Sequence, residues 1–545
     1  MSRWPCAELP ALDLPRLILA LRPDLCRRFG FDRPEGSDAY LSWLLTTGVK
    51  EYKALTEDKV FLRGLHDHDP SNGLTALQAA IYRARPDVQK AFPLPTRRND
   101  FEQWFYCHGV GEHKLWPWLS IDERAVAQSV AQQTQSPWLD ALSNLAQSRA
   151  RPAANAQTTK DLLWGVNLIG YAFGQLGIGE DLRMTARALK AAGVPLAIVN
   201  VAPGRHIPQS DLSLKAWVLP KGQAGPYRIN LFCMTALETG RFYAEQGLSQ
   251  FEARYNIGYW PWELAKWPDA WKLAHPLVDQ VWVSTNHIAD ALRPAFDGPI
   301  HVMPLVVEPE PHSQRWRALD HRKRIRRKYR LPLSAHLFCF AFDLNSSMHR
   351  KNPQACVAAF LRAFPLGGFA RGQVGLVIKT HAPQARNPAW EQLKAIAAQD
   401  DRIHIIEGTL PRPDLMALYA ACDVFLSLHR AEGFGRGLAE ALQLGLHLIT
   451  TDYSGNTDFC HRPEFVGQIS RVPYRLVRVR KGQYPYADGQ YWASPNLAAA
   501  ARAMRACLQS PTLASEVPAR GWPCFSARLL GGLYAKRLRQ IAGRR

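Results

Sequence analysis

Short apolar runs separated by glycine-bearing loops and helical patterns dominate the chain from about residue 160 onward. The first series of runs comprises LLWGVNLIG (162–170), PLAIVNV (195–201), INLFCMTA (229–236), YNIGYW (255–260) and QVWVS (280–284). The second comprises HLFCFAFD (336–343), VGLVIKTH (374–381), RIHIIEG (402–408), DVFLSL (423–428) and HLITT (447–451). This alternation is typical of parallel sheets covered on both faces. It predicts an α/β protein with two Rossmann-like units, and a ligand in a cleft at the carboxyl ends of both sheets.

Residues 1–150 follow a different pattern, rich in tryptophan, leucine and alanine and without glycine-rich loops. Three pairs of identical residues lie 61 positions apart: Trp43 and Trp104, Gly48 and Gly109, and Glu51 and Glu112. The repeat predicts a helical accessory domain in which one unit is used twice. The polar stretch 147–160 is predicted to be a linker, so we expect residues 1–150 to be separable from the rest.

The domain boundaries predicted from these patterns are 1–150, 160–310, 311–520 and a basic C-terminal helix over 521–545. No run approaches 18 consecutive apolar residues, and the first residues lack the pattern of an export signal. The ten cysteines contain no C-x-x-C pair, which is typical of reduced thiols. We therefore expect a cytoplasmic protein.

The chain carries a formal net charge of +20, which favours anionic partners. Nucleic acid, an anionic membrane surface and phosphorylated small molecules all fit that charge. Two basic segments, HRKRIRRKYR (321–330) and the acid-free tail 520–545, favour peripheral attachment to the inner face of the cytoplasmic membrane. A nucleic-acid-binding protein remains an alternative, although no zinc-finger or RNP-like motif is present.

The most specific motif is HRAEGFGRGLAEALQLG (429–445), which follows the run DVFLSL. Glu432 and Glu440 are separated by seven residues, and Gly433, Phe434 and Gly435 form a loop that brings backbone amides close to a phosphate or sugar. This spacing is similar to the signature of retaining, family-four glycosyltransferases of the GT-B fold. The resemblance implies that the first glutamate and the loop amides hold the donor sugar, and that the second glutamate accepts hydrogen bonds from the nucleotide ribose.

Further segments occur in the order of that family over roughly residues 160–510: GYAFGQLGIGEDLR, GYWPWE, AFDLNSSMHRKNP, ITTDYSGNTDF and WASPN. The resemblance places Lys351 against the donor diphosphate. It also expects an arginine about six residues earlier, where this chain has Asn345. Lys379, at the end of a strand, is a candidate for the missing cation or a solvated surface lysine. Leu410 would line the nucleobase pocket by analogy of position.

The segment GYAFGQLGIGE places Gly174, Gly177 and Gly179 at a strand-to-helix turn. A dinucleotide site would need an acidic residue at the end of the next strand, where PLAIVNV ends in Asn200 and Val201, so NAD binding is disfavoured. The resemblance implies instead that this loop borders the donor phosphates and the acceptor.

Glu263 lies within YWPWELAKWPDAW, beside Trp260 and Trp262. We predict that Glu263 orients an acceptor hydroxyl and that the two rings stack on a sugar. Core tryptophans with Glu263 in a capping role are the alternative.

No D-x-D triplet lies between predicted strands, so we expect no metal ion, and no cofactor beyond the nucleotide-sugar substrate. The resemblance implies a hexosyltransferase with catalytic Glu432 and Lys351. Relatives often have a histidine in the region of Glu263, and we predict Glu263 as the third catalytic residue because it is the nearby candidate with acid–base chemistry. It would transfer a sugar with retention to a glycan or lipid-linked acceptor, in surface polysaccharide or lipopolysaccharide biosynthesis. The 160–310 unit would take the acceptor and the 311–520 unit the nucleotide-sugar. Another GT-B enzyme, a nucleotide-sugar hydrolase or a phosphorylase, is the alternative.

Overall fold

The computed structural model of the protein describes residues 13–32, 34–69, 72–134, 162–203, 207–308, 316, 318–344, 346–367, 372–381, 387–509, 518 and 521–542. The predicted linker 147–160 and Asn345 lie outside these described residues. Two compact units divide the chain. The first comprises Met1–Asn167, Leu219–Gly258 and Asp269–Asp279, and the second comprises Leu168–Val218, Tyr259–Pro268 and Gln280–Arg545.

The N-terminal part of the first unit is helical. Its described helices are α1 Leu14–Leu21, α2 Pro23–Phe29, α3 Pro34–Trp43, α4 Val49–Glu51, α5 Lys59–Leu65, α6 Ala76–Ala84, α7 Pro86–Ala91, α8 Arg98–Trp104, α9 Val110–Glu112 and α10 Ile121–Gln133. Side chains cap several of them. Asp58 accepts from the amides of Val60 and Phe61 at the start of α5, and a capping box of Ser120 and Glu123 starts α10.

The two copies of the 61-residue repeat have the same local structure. Each contains a π-helical turn directly after its tryptophan, over Leu44–Gly48 and Phe105–Gly109. Each also carries the same ion pair, between Arg22 and Glu51 at 2.9 Å and between Arg85 and Glu112 at 2.8 Å. The sequence repeat therefore corresponds to a repeated structural unit.

A six-stranded sheet has the order β2-β1-β3-β4-β5-β6. Its strands are β1 Leu163–Gly170, β2 Leu196–Asn200, β3 Tyr227–Cys233, β4 Tyr255–Tyr259, β5 Gln280–Val283 and β6 Ile300–Val302. Strand β3 pairs with β4 in parallel, and β5 pairs with β6 in parallel. Helices α11 Gly177–Ala191, α12 Ala236–Gln246 and α13 Asn286–Leu292 follow β1, β3 and β5.

The N-terminal helices and α12 pack together within the first unit. The hydroxyl of Tyr243 on α12 donates to Asp58 at 2.9 Å, and both residues are buried. The amide of Leu248 donates to Glu57 at 2.7 Å. A Cβ added at Gly240 would lie 2.6 Å from Leu17, so α1 approaches α12 closely. Because of these contacts, we expect that residues 1–150 cannot be separated from the rest of the first unit, contrary to the expectation from the sequence pattern.

A second six-stranded parallel sheet has the order β12-β11-β10-β7-β8-β9. Its strands are β7 His336–Asp343, β8 Val374–His381, β9 Ile403–Glu407, β10 Val424–Ser427, β11 His447–Thr451 and β12 Ile469–Val472. The central strands β10 and β11 are buried throughout, as expected for a parallel sheet with both faces covered. An antiparallel ribbon of β13 Tyr474–Arg478 and β14 Tyr491–Pro495 follows.

The helices of the second unit from residue 319 onward are α14 Leu319–Lys328, α15 Met348–Lys351, α16 Pro353–Ala363, α17 Pro388–Ala397, α18 Arg412–Ala420, α19 Arg436–Gln443, α20 Thr457–Cys460, α21 Leu497–Gln509 and α22 Ala527–Ala542. Two parallel sheets with helices between their strands confirm the predicted fold class of two Rossmann-like units with an added helical N-terminal region.

The predicted basic C-terminal helix is α22, and one of its faces is part of the protein interior. A Cβ added at Gly531 would lie 2.2 Å from the carbonyl oxygen of Ala188 on α11, so only glycine allows this approach. Tyr534 is fully buried and donates to the carbonyl of Pro304 at 2.5 Å. The basic side chains Arg528, Lys536 and Arg539 lie on the exposed face. In the described part of the chain, no helix is long and apolar enough to cross a membrane.

Candidate active site

A cavity of about 390 Å³ lies within the second unit, at the carboxyl ends of β7 and β10. Its walls include the first residues of α11 and α19, the end of α15, and the loop after β4. This volume falls in the range of small-molecule sites, about 300–1,000 Å³. Helix N-termini carry partial positive charge, so α11 and α19 favour an anionic ligand.

The loop Gly433–Gly435 can follow its path only because it contains glycine. A Cβ added at Gly433 would lie 2.6 Å from the carbonyl oxygen of Trp262, and Gly435 has a φ of +88°. Gly455 on the neighbouring loop approaches even more closely, since its Cβ would lie 1.9 Å from the carbonyl oxygen of Gly433. The motif therefore places the backbone of residues 433–435 on the cavity wall, directly before α19.

Glu432 is held between two cations. Its Oε1 lies 2.5 Å from Nζ of Lys351, and its Oε2 lies 3.3 Å from the guanidinium of Arg350. Burial alone would raise the pKa of Glu432, but the charges of Lys351 and Arg350 outweigh it and lower that pKa to about 2. The carboxylate is therefore ionised throughout the physiological pH range.

Glu263 joins the same cluster from the loop after β4. Its Oε1 lies 3.7 Å from the guanidinium of Arg350, and its Oε2 accepts a hydrogen bond from the hydroxyl of Tyr484 at 2.8 Å. Burial and the nearby carboxylate of Glu263 raise the pKa of Tyr484, which keeps the phenol protonated as a donor. Burial lowers the pKa of Lys351 despite the adjacent Glu432. Two carboxylates and two cations thus meet at one wall of the cavity.

Glu440 is buried in α19 and does not line the cavity. Its Oε1 accepts from Arg412 at 2.7 Å, and Nε of Arg412 lies 3.1 Å from Glu180 on α11. Beside this group, Arg436 forms an ion pair with Asp181, and both of these residues line the cavity. The structure therefore couples the proposed ribose-binding glutamate to an ion-pair network between α11, α18 and α19.

The glycine-rich loop leads into α11 as predicted. A Cβ added at Gly179 would lie 2.5 Å from the carbonyl oxygen of Gly174, which fixes the tight turn. Gly177 has open space around it and lines the cavity. Among the three glycines, Gly177 is the one that the structure places directly at the cavity wall.

The prediction that Trp260 and Trp262 form a sugar-binding platform is wrong. Their exposed fractions are 0% and 2%, so neither ring presents a face to a ligand. Trp260 stacks on Trp267 at 6.0 Å, and the Trp262 indole donates to the carbonyl of Lys266 at 2.9 Å. These tryptophans are core residues that support the loop carrying Glu263.

Lys379 and Leu410 lie near the ends of neighbouring strands, β8 and β9, and neither lines the cavity. The ammonium of Lys379 donates to the carbonyl of Gly408 at 2.8 Å, and Leu410 is half-buried in the loop after β9. Burial lowers the pKa of Lys379 to about 8, although Asp343 partly opposes this. Lys379 is thus buried and not a solvated surface lysine.

That pKa gives a pH prediction for nucleotide binding. If Lys379 supplies a cation to the donor, its deprotonation above about pH 8 weakens binding of a nucleoside diphosphate, up to tenfold per pH unit. Titration calorimetry from about pH 7 to about pH 9 should show this decline in the wild type and in the exposed control Lys481→Met, but not in Lys379→Met. An equal decline in Lys379→Met would exclude Lys379 from the donor site.

Sequence reasoning did not assign a role to Arg350, Tyr484, Asp181 or Arg436. Arg350 is adjacent to Lys351 in the sequence, and Arg436 directly follows Gly435, so both could have been found as neighbours of the motif. Tyr484 lies 221 positions from Glu263, and no sequence signal connects the two.

Among the described residues, no group of three or more His, Cys, Asp and Glu side chains is placed to hold a metal ion. Residues 321–328 of the basic segment 321–330 lie in α14, and part of the segment's charge is already paired. Arg322 and Arg326 form ion pairs with Asp423, and Lys328 pairs with Asp414 at 3.0 Å. Only the remaining cations of this helix are available to an anionic surface.

Comparison with known proteins identifies related sequences and folds. Residues 386–463 match the family model "Glycosyl transferases group 1". The solved structure of sucrose-phosphate synthase from Thermosynechococcus elongatus is similar with a TM-score of 0.52 and 16% identity, over 70% of this chain and 100% of that chain. Anabaena Alr3699/HepE in complex with UDP and glucose gives a TM-score of 0.49 and 13% identity, over 69% of this chain and 100% of that chain. No curated protein sequence matches this chain.

These findings confirm the resemblance to GT-B glycosyltransferases. The matched segment 386–463 contains the complete Glu432 to Glu440 motif on which that resemblance was based. The two parallel sheets and the likeness to sucrose-phosphate synthase show the GT-B fold.

Proposed function

We propose that the protein is a retaining glycosyltransferase of the family-four type, which moves a sugar from a nucleotide-sugar to a glycan or lipid-linked acceptor. We place it in surface polysaccharide biosynthesis, at the inner face of the cytoplasmic membrane. The observation that carries the proposal is the ionised Glu432 between Lys351 and Arg350, in a cavity bordered by two helix N-termini. The family-model match over the same motif supports it.

In this proposal the donor diphosphate takes its positive partners from the cavity wall. Lys351 and Arg436 supply cations, and the N-terminus of α19 supplies backbone amides. Glu432 and the amides of residues 433–435 hold the sugar. Following the resemblance, we assign Glu440 to the ribose and Leu410 to the base, although neither lines the cavity described above. A bound diphosphate also gives Lys351 an anionic partner in addition to Glu432.

The reaction breaks the bond between the sugar C1 and the diphosphate oxygen and forms a bond from C1 to the acceptor oxygen on the same face. The acceptor hydroxyl gives its proton to the departing diphosphate, so no covalent enzyme intermediate is required. Negative charge develops on the leaving group in the transition state. Fixed cations and helix N-termini stabilise that charge without reorganisation, which is usually the largest catalytic contribution.

Glu263 is the residue that we assign to the acceptor. Tyr484 and Arg350 fix its carboxylate at the cavity wall, where it lies on a different loop from the donor motif. A carboxylate held in this way accepts a hydrogen bond from a hydroxyl and thereby orients it.

We expect Glu263→Gln to reduce transfer to the acceptor about 10²-fold, because the neutral amide orients the hydroxyl poorly. Tyr484→Phe removes one hydrogen bond to Glu263 and should cost about 2- to 10-fold. Nucleotide affinity should stay within about twofold of the wild type in both variants. Steady-state kinetics and titration calorimetry on the same preparations test this. Near-normal transfer in Glu263→Gln would leave Glu263 a structural residue, and lost nucleotide binding would assign it to the donor.

We also expect transfer to persist in excess EDTA, since Lys351, Arg350 and Arg436 lie on the cavity wall, where they can contact the diphosphate directly. Initial rates measured with and without EDTA should agree within about twofold. A rate that vanishes in EDTA and returns with Mg²⁺ or Mn²⁺ would show that a metal ion carries the diphosphate charge instead.

The proposed function is tested by incubating the protein with a panel of nucleotide-sugars and simple glycosides. We expect one donor to yield a new glycosidic bond with the anomeric configuration of the donor, observed by NMR. Release of free sugar at the same rate with and without glycoside would identify a hydrolase instead.

A further inference from the structure

A second cavity of the second unit, which we call the α22 groove, has a volume of about 820 Å³. Its floor consists of packed aromatic rings, with Phe434 5.3 Å from Phe459 and Phe459 5.4 Å from Phe525. One wall is formed by Leu529 and Leu533 of α22, which are 56% and 41% exposed. An apolar concave surface with exposed leucines typically marks a binding site.

Cations stand at the edge of this apolar surface. Arg528 and Lys536, one to three residues from the two leucines, are exposed and line the groove. Arg462 also lines it and pairs with Glu464 at 2.7 Å. Asp458 is the carboxylate among the lining residues, and it accepts hydrogen bonds from Asn286 at 2.8 Å and 3.0 Å. The edge therefore favours an anion, while the floor favours hydrocarbon.

The groove adjoins the catalytic cavity. Ser284 and Phe434 line both cavities, and Phe434 is the middle residue of the Gly433–Gly435 loop. Ser284 and Phe434 therefore lie between a molecule in the groove and the donor site. A bulk membrane surface or a second copy of the chain as occupant would not explain why the groove adjoins the catalytic cavity.

We propose that the α22 groove binds the hydrocarbon chain of a lipid-phosphate acceptor, with its phosphate at Arg528 and Lys536. This inference rests on the proposed glycosyltransferase function and selects the lipid-linked class of acceptor. Burying the chain against the rings and leucines supplies affinity, because apolar surface is removed from water. In this arrangement the head group beyond the phosphate, which carries the accepting hydroxyl, extends past Phe434 toward the donor site.

The test is titration of the full-length protein with farnesyl phosphate, below the concentration at which it forms micelles. Inorganic phosphate and farnesol are titrated separately. We expect farnesyl phosphate to bind at least about tenfold more tightly than either, because both the chain and the anion contribute. Leu529→Asp and the double change Arg528→Glu with Lys536→Glu should each weaken binding at least about tenfold.

Matched controls lie on other exposed surfaces. Leu319→Asp changes an exposed leucine on α14, and Arg539→Glu changes an exposed cation of α22 that does not line the groove. Both should bind like the wild type. Equal affinity in groove and control variants, or phosphate binding as tight as farnesyl phosphate, would overturn the proposal.

A nucleoside diphosphate titrated into the same samples separates this inference from the proposed function. Nucleotide binding without farnesyl phosphate binding would overturn the groove assignment and leave the glycosyltransferase standing. Farnesyl phosphate binding that depends on the groove, with no nucleotide bound, would overturn the glycosyltransferase and support the lipid site.

Discussion

Glu432→Gln is expected to lower the turnover number about 10²- to 10³-fold while nucleotide affinity changes by less than about threefold. In our account Glu432 contacts the reacting sugar and not the nucleotide. Glutamine keeps the shape of the side chain but removes the charge that Lys351 and Arg350 surround. Steady-state kinetics with saturating donor, together with titration of the nucleoside diphosphate, measure the two quantities.

The stability of this variant must be measured alongside its activity. Removing one partner of a buried ion pair typically costs about 3–5 kcal/mol, because the remaining charges lose their compensation. Thermal unfolding will show how much folded protein is present. Glu391→Gln is the matched control, since Glu391 pairs with Lys394 at 3.0 Å on the exposed surface of α17. Wild-type turnover in folded Glu432→Gln would exclude Glu432 from the reaction.

Removal of residues 1–156 is expected to destabilise the rest of the first unit severely. The deletion exposes the surface of α12 that α1 covers and removes the partners of Tyr243 and Leu248. Leu14, Leu17 and Ile18 are fully buried, at about 1.5–3 kcal/mol each, so we expect a loss of at least about 5 kcal/mol. Chemical denaturation, or aggregation on purification, measures the effect.

A point substitution tests the same packing in a protein of full length. Gly240→Ala should lower the unfolding temperature by several degrees, because its Cβ would meet Leu17 at 2.6 Å. Gly64→Ala is the control, since nothing lies within 4 Å of a Cβ there. A truncated protein that is soluble and as stable as the full chain would show that residues 1–150 are separable, as the sequence pattern alone predicts.

Local patterns were sufficient to predict the fold and the tight Gly433–Gly435 loop. The buried runs of β10 and β11 and the glycines around Phe434 each carry their signal within a few residues. Such signals depend on backbone conformation and burial, which neighbouring residues determine. The 61-residue repeat was visible for the same reason, because both copies of the unit carry the same residues at the same spacing.

Long-range contacts were not predictable in this way. An aromatic cluster beside a carboxylate is compatible with a sugar platform and with a core, and only tertiary packing shows that Trp260 and Trp262 are core residues. The partner of Glu263 is Tyr484, in the loop between β13 and β14, far away in sequence. The contact of Asp58 with Tyr243 likewise joins segments 185 positions apart. No periodicity or composition encodes such pairs.

The central claim is that a nucleoside diphosphate binds where Lys351 meets Glu432. Titration calorimetry with a panel of nucleoside diphosphates tests it most directly, on the wild type, on Lys351→Ala and on the exposed control Lys481→Ala. The account predicts that one diphosphate binds the wild type and the control equally, and binds Lys351→Ala at least about tenfold more weakly. Equal binding to folded Lys351→Ala, or no binding of any diphosphate to the wild type, would contradict it.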